Sequence, residues 1–195
     1  MALDPAFPAF TRGQEYVEYL QPRLTPARLV HSLETMRVMA DLAPIYALDL
    51  QQALTTGLLH DATKEIPDAD QLTLAFQAGY IFQDPCEELA IYLHGPTAAY
   101  CLRRDLGLRD EAVLDAIATH SMIPHLPGFE TTLSWCMRFA DILAPSRAWK
   151  DLQADFGPIV HSGDLPAARS YLLAWFKAFF PPKNIPVHPG LLELM

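Results

Sequence analysis

Apolar residues recur along most of this chain at three- and four-residue spacings, the mark of helices that bury one face. A short helix is expected over Gly13 to Leu20. Thr25-Pro26 is a helix start, an N-cap followed by Pro at the first helical position. Its stripe runs through Leu29, Leu33, Met36, Ala40 and Ala43, and Pro44 is expected to stop it. Asp49 caps the next helix, whose stripe is Leu50, Ala53, Leu54, Gly57 and Leu58. Asp68 can cap a helix with Leu72, Ala75 and Phe76, ending near Gly79. Asp84-Pro85 opens another through Leu89 and Leu93 to His94, where Gly95-Pro96 predicts a sharp break. Thr97 to Leu106 reads as a further helix closed by Gly107. Asp110 caps one with Val113, Ala116 and Ile117, and Pro124 and Pro127 enclose a loop after it. Thr131 caps a strongly apolar helix with Leu133, Met137, Ala140 and Ala144, ended by Pro145. The last long helix opens at Asp164-Leu165-Pro166, carries Leu172, Leu173, Trp175, Phe176 and Phe179, and stops at Pro181-Pro182. No alternating pattern of strand length is present, and the expected class is all-α.

Several stripes do not stay apolar. Continued by the same spacing, the stripe from Leu50 lands on Asp61, with His60 beside it. The stripe through Ile117 reaches His120, and Asp141 lies on the face of Leu133. His31 stands just off its own stripe, and His94 lies at a helix seam. A carboxylate on a buried face is costly unless a cation or hydrogen bonds compensate it. Capping of a helix, or pairing of Asp61 with Lys64, would meet that need, and so would a bound metal. His31, His60, Asp61 and Asp141 form a plausible nitrogen and oxygen ligand set for one divalent ion. Neighbouring helix residues such as His60 and Asp61 differ by about 100° and can converge from one turn. Mixed imidazole and carboxylate ligation without thiolate favours Fe, Mn, Co or Mg over structural Zn.

Composition narrows the function classes. A chain of 195 residues, 51% hydrophobic and 19% charged, suits one globular domain. A net charge of -9 argues against a nucleic-acid footprint or a basic membrane face. It leaves room for a small anionic ligand, because a metal and local cations reverse the field inside a cleft. No apolar run is long enough to span a bilayer, and the first ten residues carry no basic n-region of a signal peptide. Cys86, Cys101 and Cys136 show no paired spacing, which fits buried thiols in a reducing cytoplasm.

Five ordered blocks carry a resemblance. They are Arg28 with His31-Ser32; Leu58-Leu59-His60-Asp61 with Lys64; Leu93-His94-Gly95-Pro96; Ala116-Ile117 with His120-Ser121; and Ala140-Asp141 with Pro145 and Arg147. Together they resemble the HD-domain phosphohydrolases, and among these the YqeK-like symmetrical diadenosine tetraphosphate hydrolases. The resemblance covers residues 24–190, leaving 1–23 as an N-terminal extension. It implies a single-domain helical bundle with one buried metal, usually iron, on His31, His60, Asp61 and Asp141. It implies a catalytic set of Asp61, Lys64, His94, His120 and Arg147. Substrate contacts would come from these, from His31, Ala62, Thr63, Ser121 and Asp141, and from Lys183, Ile185 and His188 in the Pro-rich tail. Ser121 stands where the family more often has Thr, and the loop of residues 122–129 lacks the family's Gly pair.

The implied chemistry is hydrolysis of a nucleotide in the cytoplasm. Asp61 would accept the proton of the attacking water, Lys64 and Arg147 would neutralise phosphoryl charge, and His94 and His120 would orient the phosphate or protonate the leaving group. Another HD-type (deoxy)nucleotidase and a nucleotide-binding regulatory module are the alternatives. A homodimer is left open. His125 and His161 read as solvated loop residues.

Overall fold

The computed structural model describes residues 7–79, 90–183, 185–187 and 189–194. Its elements in chain order are α1 (Gly13–Leu20), α2 (Pro26–Ile45), α3 (Leu50–Leu59), α4 (Asp68–Gln77), a 3-10 turn (Ala90–Tyr92), α5 (His94–Asp105), α6 (Glu111–Thr119), α7 (Thr132–Leu143), α8 (Lys150–His161), α9 (Leu165–Phe179), a second 3-10 turn (Pro181–Lys183) and α10 (Pro189–Leu194). No strand occurs among the described residues, so the all-α expectation holds. Among the described residues no helix is long and apolar enough to cross a membrane.

Thr25 makes no side-chain cap bond and Asp68 lies inside the first turn of α4 behind Pro67, but other caps form at helix starts. Asp49 accepts from Gln52 N, Asp110 from Val113 N, Thr131 from Ser134 N and Asp164 from Ala167 N. Each satisfies an amide that the first helical turn leaves unpaired.

The centre is built from α2, α3, α6 and α7. α2 packs on α3 and α7, α3 on α6, and α6 on α7. α5 covers α6, and α8 and α9 pair beside α7. Trp135, Phe139 and Phe156 fill the middle with Met36, Met39, Leu54 and Leu58. Each large side chain so buried contributes about 1.5–3 kcal/mol before entropy is counted. α1 belongs to the same core: Tyr16, Val17 and Leu20 are buried and α1 packs on α3. Cys101 and Cys136 are buried free thiols, while Cys86 lies outside the described residues.

Three local expectations are corrected. α2 continues through Pro44 to Ile45; a proline in the last turn removes only one backbone bond, and the packed face of α2 outweighs it. Gly95-Pro96 does not break a helix but lies inside the first turn of α5, which starts at His94. There the missing proline N–H would have had no partner anyway. The stretch after Arg147, assigned no helix above, contains α8, which carries Gly157 and Pro158 in its interior. It forms because Leu152, Phe156 and Val160 bury one face. His161, expected in a loop, ends that helix, exposed, with Nδ1 2.8 Å from Gly157 O. His125 is exposed in the loop before α7.

Two glycines set helix approach. A Cβ at Gly57 would lie 2.8 Å from Met36 Cα, so α3 rests directly on the backbone of α2. A Cβ at Gly95 would meet Ala118 O at 2.7 Å and Ile117 O at 2.9 Å, so α5 lies equally close to α6. These approaches bring four separate elements to one point.

Candidate metal centre and adjoining cavity

α3 ends at Leu59 and α6 at Thr119, and the histidine that follows each keeps a helical backbone. His60 Nδ1 donates to Gly57 O at 2.9 Å, and His120 Nδ1 donates to Ile117 O at 2.7 Å. The same local device therefore fixes both rings: Nδ1 carries the proton, and the Nε2 lone pair points inward. After His60 the chain tightens into turns, with Ala62 N on Leu59 O and Lys64 N on Asp61 O. Asp61 and Lys64 thus project from one tight turn.

His31 comes from α2 and Asp141 from α7. His31 Nε2 is 2.9 Å from Asp141 Oδ1, and its Nδ1 is 2.9 Å from Ser146 Oγ. The backbone N–H of Ser146 donates to Glu34 Oε2 at 2.7 Å, holding that loop onto α2. His60 Nε2 lies 3.6 Å from Asp61 Oδ2 and 3.8 Å from Asp141 Oδ1. These separations exceed a hydrogen bond. His60 Nε2 and Asp61 Oδ2 are both buried with no hydrogen-bond partner. Two orphaned acceptors facing each other in a core are unstable unless a cation joins them. His31, His60 and Asp61 offer atoms within 4.8 Å of one another. Asp141 Oδ1 lies 2.9 Å from His31 Nε2, so the four expected residues lie together with a donor set suited to a divalent ion.

Burial pushes the His60 imidazole down to about 4, so it stays neutral and able to ligate. Burial alone would raise the Asp61 carboxyl, but the His60, His120 and His94 rings and the Lys64 ammonium outweigh it and hold it well below the usual range. Asp141 is likewise held low, burial being overcome by Arg147, His31 and His60. Arg28 adds charge, with Nη1 4.0 Å from Asp61 Oδ2 and Nε 3.2 Å from Glu65 Oε1.

On the other side of Asp61, His94 Nε2 and His120 Nε2 each lie 3.5 Å from Oδ1. Lys64 Nζ is 3.0 Å from His94 Nε2. Burial, then Lys64 and His120, drive the His94 imidazole well below its usual value, so it is neutral and orients rather than donates a proton. Arg147 lies beyond α7 as expected, but its guanidinium turns back onto Asp141: Nε donates to Oδ1 at 3.0 Å, and Nη2 donates to the same oxygen. It is therefore bound to Asp141, one of the expected ligands, instead of standing apart from that carboxylate.

A cavity of about 300 Å³ opens onto this cluster. Its lining includes the polar Lys64, His94, His120, Ser121, Asp141 and Arg147. It also includes the apolar and aromatic Trp149, Phe176, Phe179 and Ile185. Asp141 is the ligand it reaches directly.

Some expected contacts lie elsewhere. Ala62 is buried in the core, and Thr63 Oγ1 donates to His94 O at 2.8 Å, which ties it to the start of α5. Lys183 does not line the cavity; its Nζ lies 5.9 Å from the Phe179 ring. Ser121 faces the cavity, but its hydroxyl donates to Tyr92 O at 2.5 Å. His188 is outside the described residues.

Sequence reasoning missed Ser146, Trp149 and Arg138. Arg138 lines the cavity, is buried without a carboxylate, and donates to Phe129 O at 2.9 Å and Thr119 O at 2.8 Å. Burial lowers it to about 9, and it lies over the Phe129 and Trp135 rings. It pins the end of α6 to the loop that follows. An arginine in the apolar helix of Trp135 and Phe139 was the available signal. Ser146 and Trp149 follow Pro145 with no pattern to mark them. In that same loop Met122 adopts φ 69, a left-handed conformation that tightens the turn after Ser121.

Comparison with known proteins agrees with this geometry. The sequence pattern of the HD domain matches residues 28–145. A Halalkalibacterium halodurans protein named "Bis(5'-nucleosyl)-tetraphosphatase, symmetrical" is 28% identical over 177 residues, covering 90% of this chain and 91% of that one. A Bacillus subtilis protein of the same name is 28% identical over 178 residues, with the same coverage. A solved structure from Clostridium acetobutylicum, described as an HD superfamily hydrolase involved in NAD metabolism, superposes with a TM-score of 0.83 at 27% identity over 92% of both chains.

Proposed function

The chain belongs to the HD domain family, and from that premise we propose that it is a metal-dependent hydrolase of dinucleoside polyphosphates, cutting diadenosine tetraphosphate symmetrically into two ADP. The observation that carries this reading is the cavity lined by both cationic and aromatic side chains, which meets at Asp141 a buried donor set with orphaned acceptors. The two relatives named as symmetrical tetraphosphatases support the substrate.

His31, His60, Asp61 and Asp141 would hold one divalent ion, iron in the first place, with Mn, Co or Mg as alternatives. Bound there, it supplies Lewis acidity toward phosphate oxygens and water. The rest falls to the chain. Trp149 and Phe179 give the base a flat apolar wall. Lys64 and Arg147 place two cations where negative charge grows on the phosphoryl oxygens, and Arg147 can grip bidentately. His94, held neutral, orients the phosphate. Asp61 Oδ1 and His120 Nε2, 3.5 Å apart, form the acceptor pair for the proton of the attacking water. The departing ADP leaves as a phosphate anion and needs no proton of its own.

A cavity of about 300 Å³ is at the small end of ligand pockets. It suits one nucleotide half, which places the cut at the midpoint of the tetraphosphate. Chromatography of an early time point with metal-loaded protein tests this. Two ADP are expected, and ADP should inhibit as product. ATP with AMP would refute the symmetric cut. No cleavage beside rapid phosphate release from a mononucleotide would point to a nucleotidase.

A further inference from the structure

Met122 stands three residues past the end of α6 and adopts φ 69. Helices that end on a left-handed residue usually place Gly there, because a Cβ crowds the backbone. A methionine keeps that strain, so the packing around the turn must outweigh it. Thr119 O is the fixed point. It accepts the N–H of Met122 at 3.0 Å and Nη2 of Arg138 at 2.8 Å. Arg138 also donates from Nη1 to Phe129 O at 2.9 Å, so one guanidinium ties both ends of the loop that begins with His120. Ser121 Oγ, on Tyr92 O, ties the same turn to the segment before α5.

Arg138 is costly where it stands. It is 2% exposed, pairs with no carboxylate among the described residues, and leaves Nε without a partner. An apolar side chain against Phe129 and Trp135 would carry no such penalty. What the guanidinium adds is a grip on two carbonyls. Between them in the chain lies His120, whose Nε2 stands 3.5 Å from Asp61 Oδ1 and 3.1 Å from His94 Nε2. We propose that Arg138 is a positioning residue: it keeps the strained turn from Thr119 to Met122 closed and thereby holds His120 against Asp61 and His94. The part of His120 in turnover rests on the hydrolysis proposed above, whereas the hold on the turn does not.

The test is a double-mutant cycle. Arg138→Met removes the guanidinium and leaves an apolar stem in its place. Met122→Gly removes the strain, since Gly adopts a positive φ freely. Wild type, both single variants and the double variant are compared as Mn²⁺-loaded protein, with folding checked by circular dichroism. Two quantities are read. The first is the protection factor of the amide at position 122 in hydrogen exchange, which needs no turnover. It should fall in Arg138→Met and return in the double variant. The second is kcat for diadenosine tetraphosphate. Arg138→Met should lower it by about 10²-fold with KM near wild type. In the Met122→Gly background the same substitution should cost about tenfold less, the factor that one left-handed non-glycine residue represents. Arg138→Lys, whose ammonium reaches one carbonyl rather than two, takes its place in the cycle if Arg138→Met does not fold. Protection at position 122 that ignores Arg138, or an equal loss of kcat in both backgrounds, overturns the proposal. A wild type that does not cleave the dinucleotide refutes the proposed hydrolysis instead, and the exchange measurement then decides this inference alone.

Discussion

Adding a single methyl group at two glycines separates the two halves of the site. In Gly95→Ala the new Cβ would stand 2.6 Å from Ser121 Oγ, 2.7 Å from Ala118 O and 2.9 Å from Ile117 O. Ser121 could rotate, but the two carbonyls are backbone of α6 and cannot yield locally. α5 must therefore lift from α6 by some tenths of an ångström, carrying His94 away from His120. Overpacking of this kind costs about 1–3 kcal/mol, which for a chain of this size lowers Tm by about 2–4 °C per kcal/mol. The proposed metal ligands sit on α2, on α7 and at the end of α3, none of which the methyl group touches. Metal content should match wild type, while turnover falls by about 10²-fold from the displaced imidazole. Gly57→Ala is the counterpart. Its Cβ would meet Met36 Cα at 2.8 Å and Met36 N at 3.1 Å, forcing α3 off α2. His60 would then move relative to His31, and metal should be lost along with stability. Elemental analysis, thermal melts and kcat measured on both variants decide the matter. A Gly95→Ala protein that loses its metal, or a Gly57→Ala protein that keeps it at full affinity, would refute the division of the site.

Other outcomes follow from single contacts. Ser146→Ala removes the hydroxyl beside His31 Nδ1 and should weaken metal affinity by about 10–100-fold, measured by chelator competition. Arg147→Ala should cut kcat by about 10²–10³-fold, without lowering metal affinity, because it frees Asp141 from a competing cation. Trp149→Ala should raise KM for the dinucleotide with little change in kcat, losing about 1–3 kcal/mol of base stacking; an unchanged KM would place the base elsewhere.

Periodicity alone located most of the proposed metal ligands. The stripe of Leu50 reached Asp61 although α3 stops at Leu59, because His60 keeps a helical backbone and the following turns tighten without changing face. The stripe of Ile117 reached His120 for the same reason. Local chemistry also determined the caps at Asp49, Asp110, Thr131 and Asp164. The class of ion followed from residue types, since nitrogen and oxygen donors behave alike in any fold.

What a stripe cannot state is which surface meets it. That Gly95 and Pro96 lie inside a helix was decided by the close approach of α5 to α6 and by the position of Pro96 in a first turn. Arg147 is bound to Asp141, Thr63 is spent on α5, and Ser146 steadies His31; each contact joins residues whose meeting depends on how several elements pack. The meeting of Asp61, His94 and His120 at one point belongs to the same class. The sequence by itself determined which side chains turn inward, because burial follows a short-range period. Tertiary structure decided which of them face one another, because that depends on the packing of α2, α3, α5, α6 and α7 together.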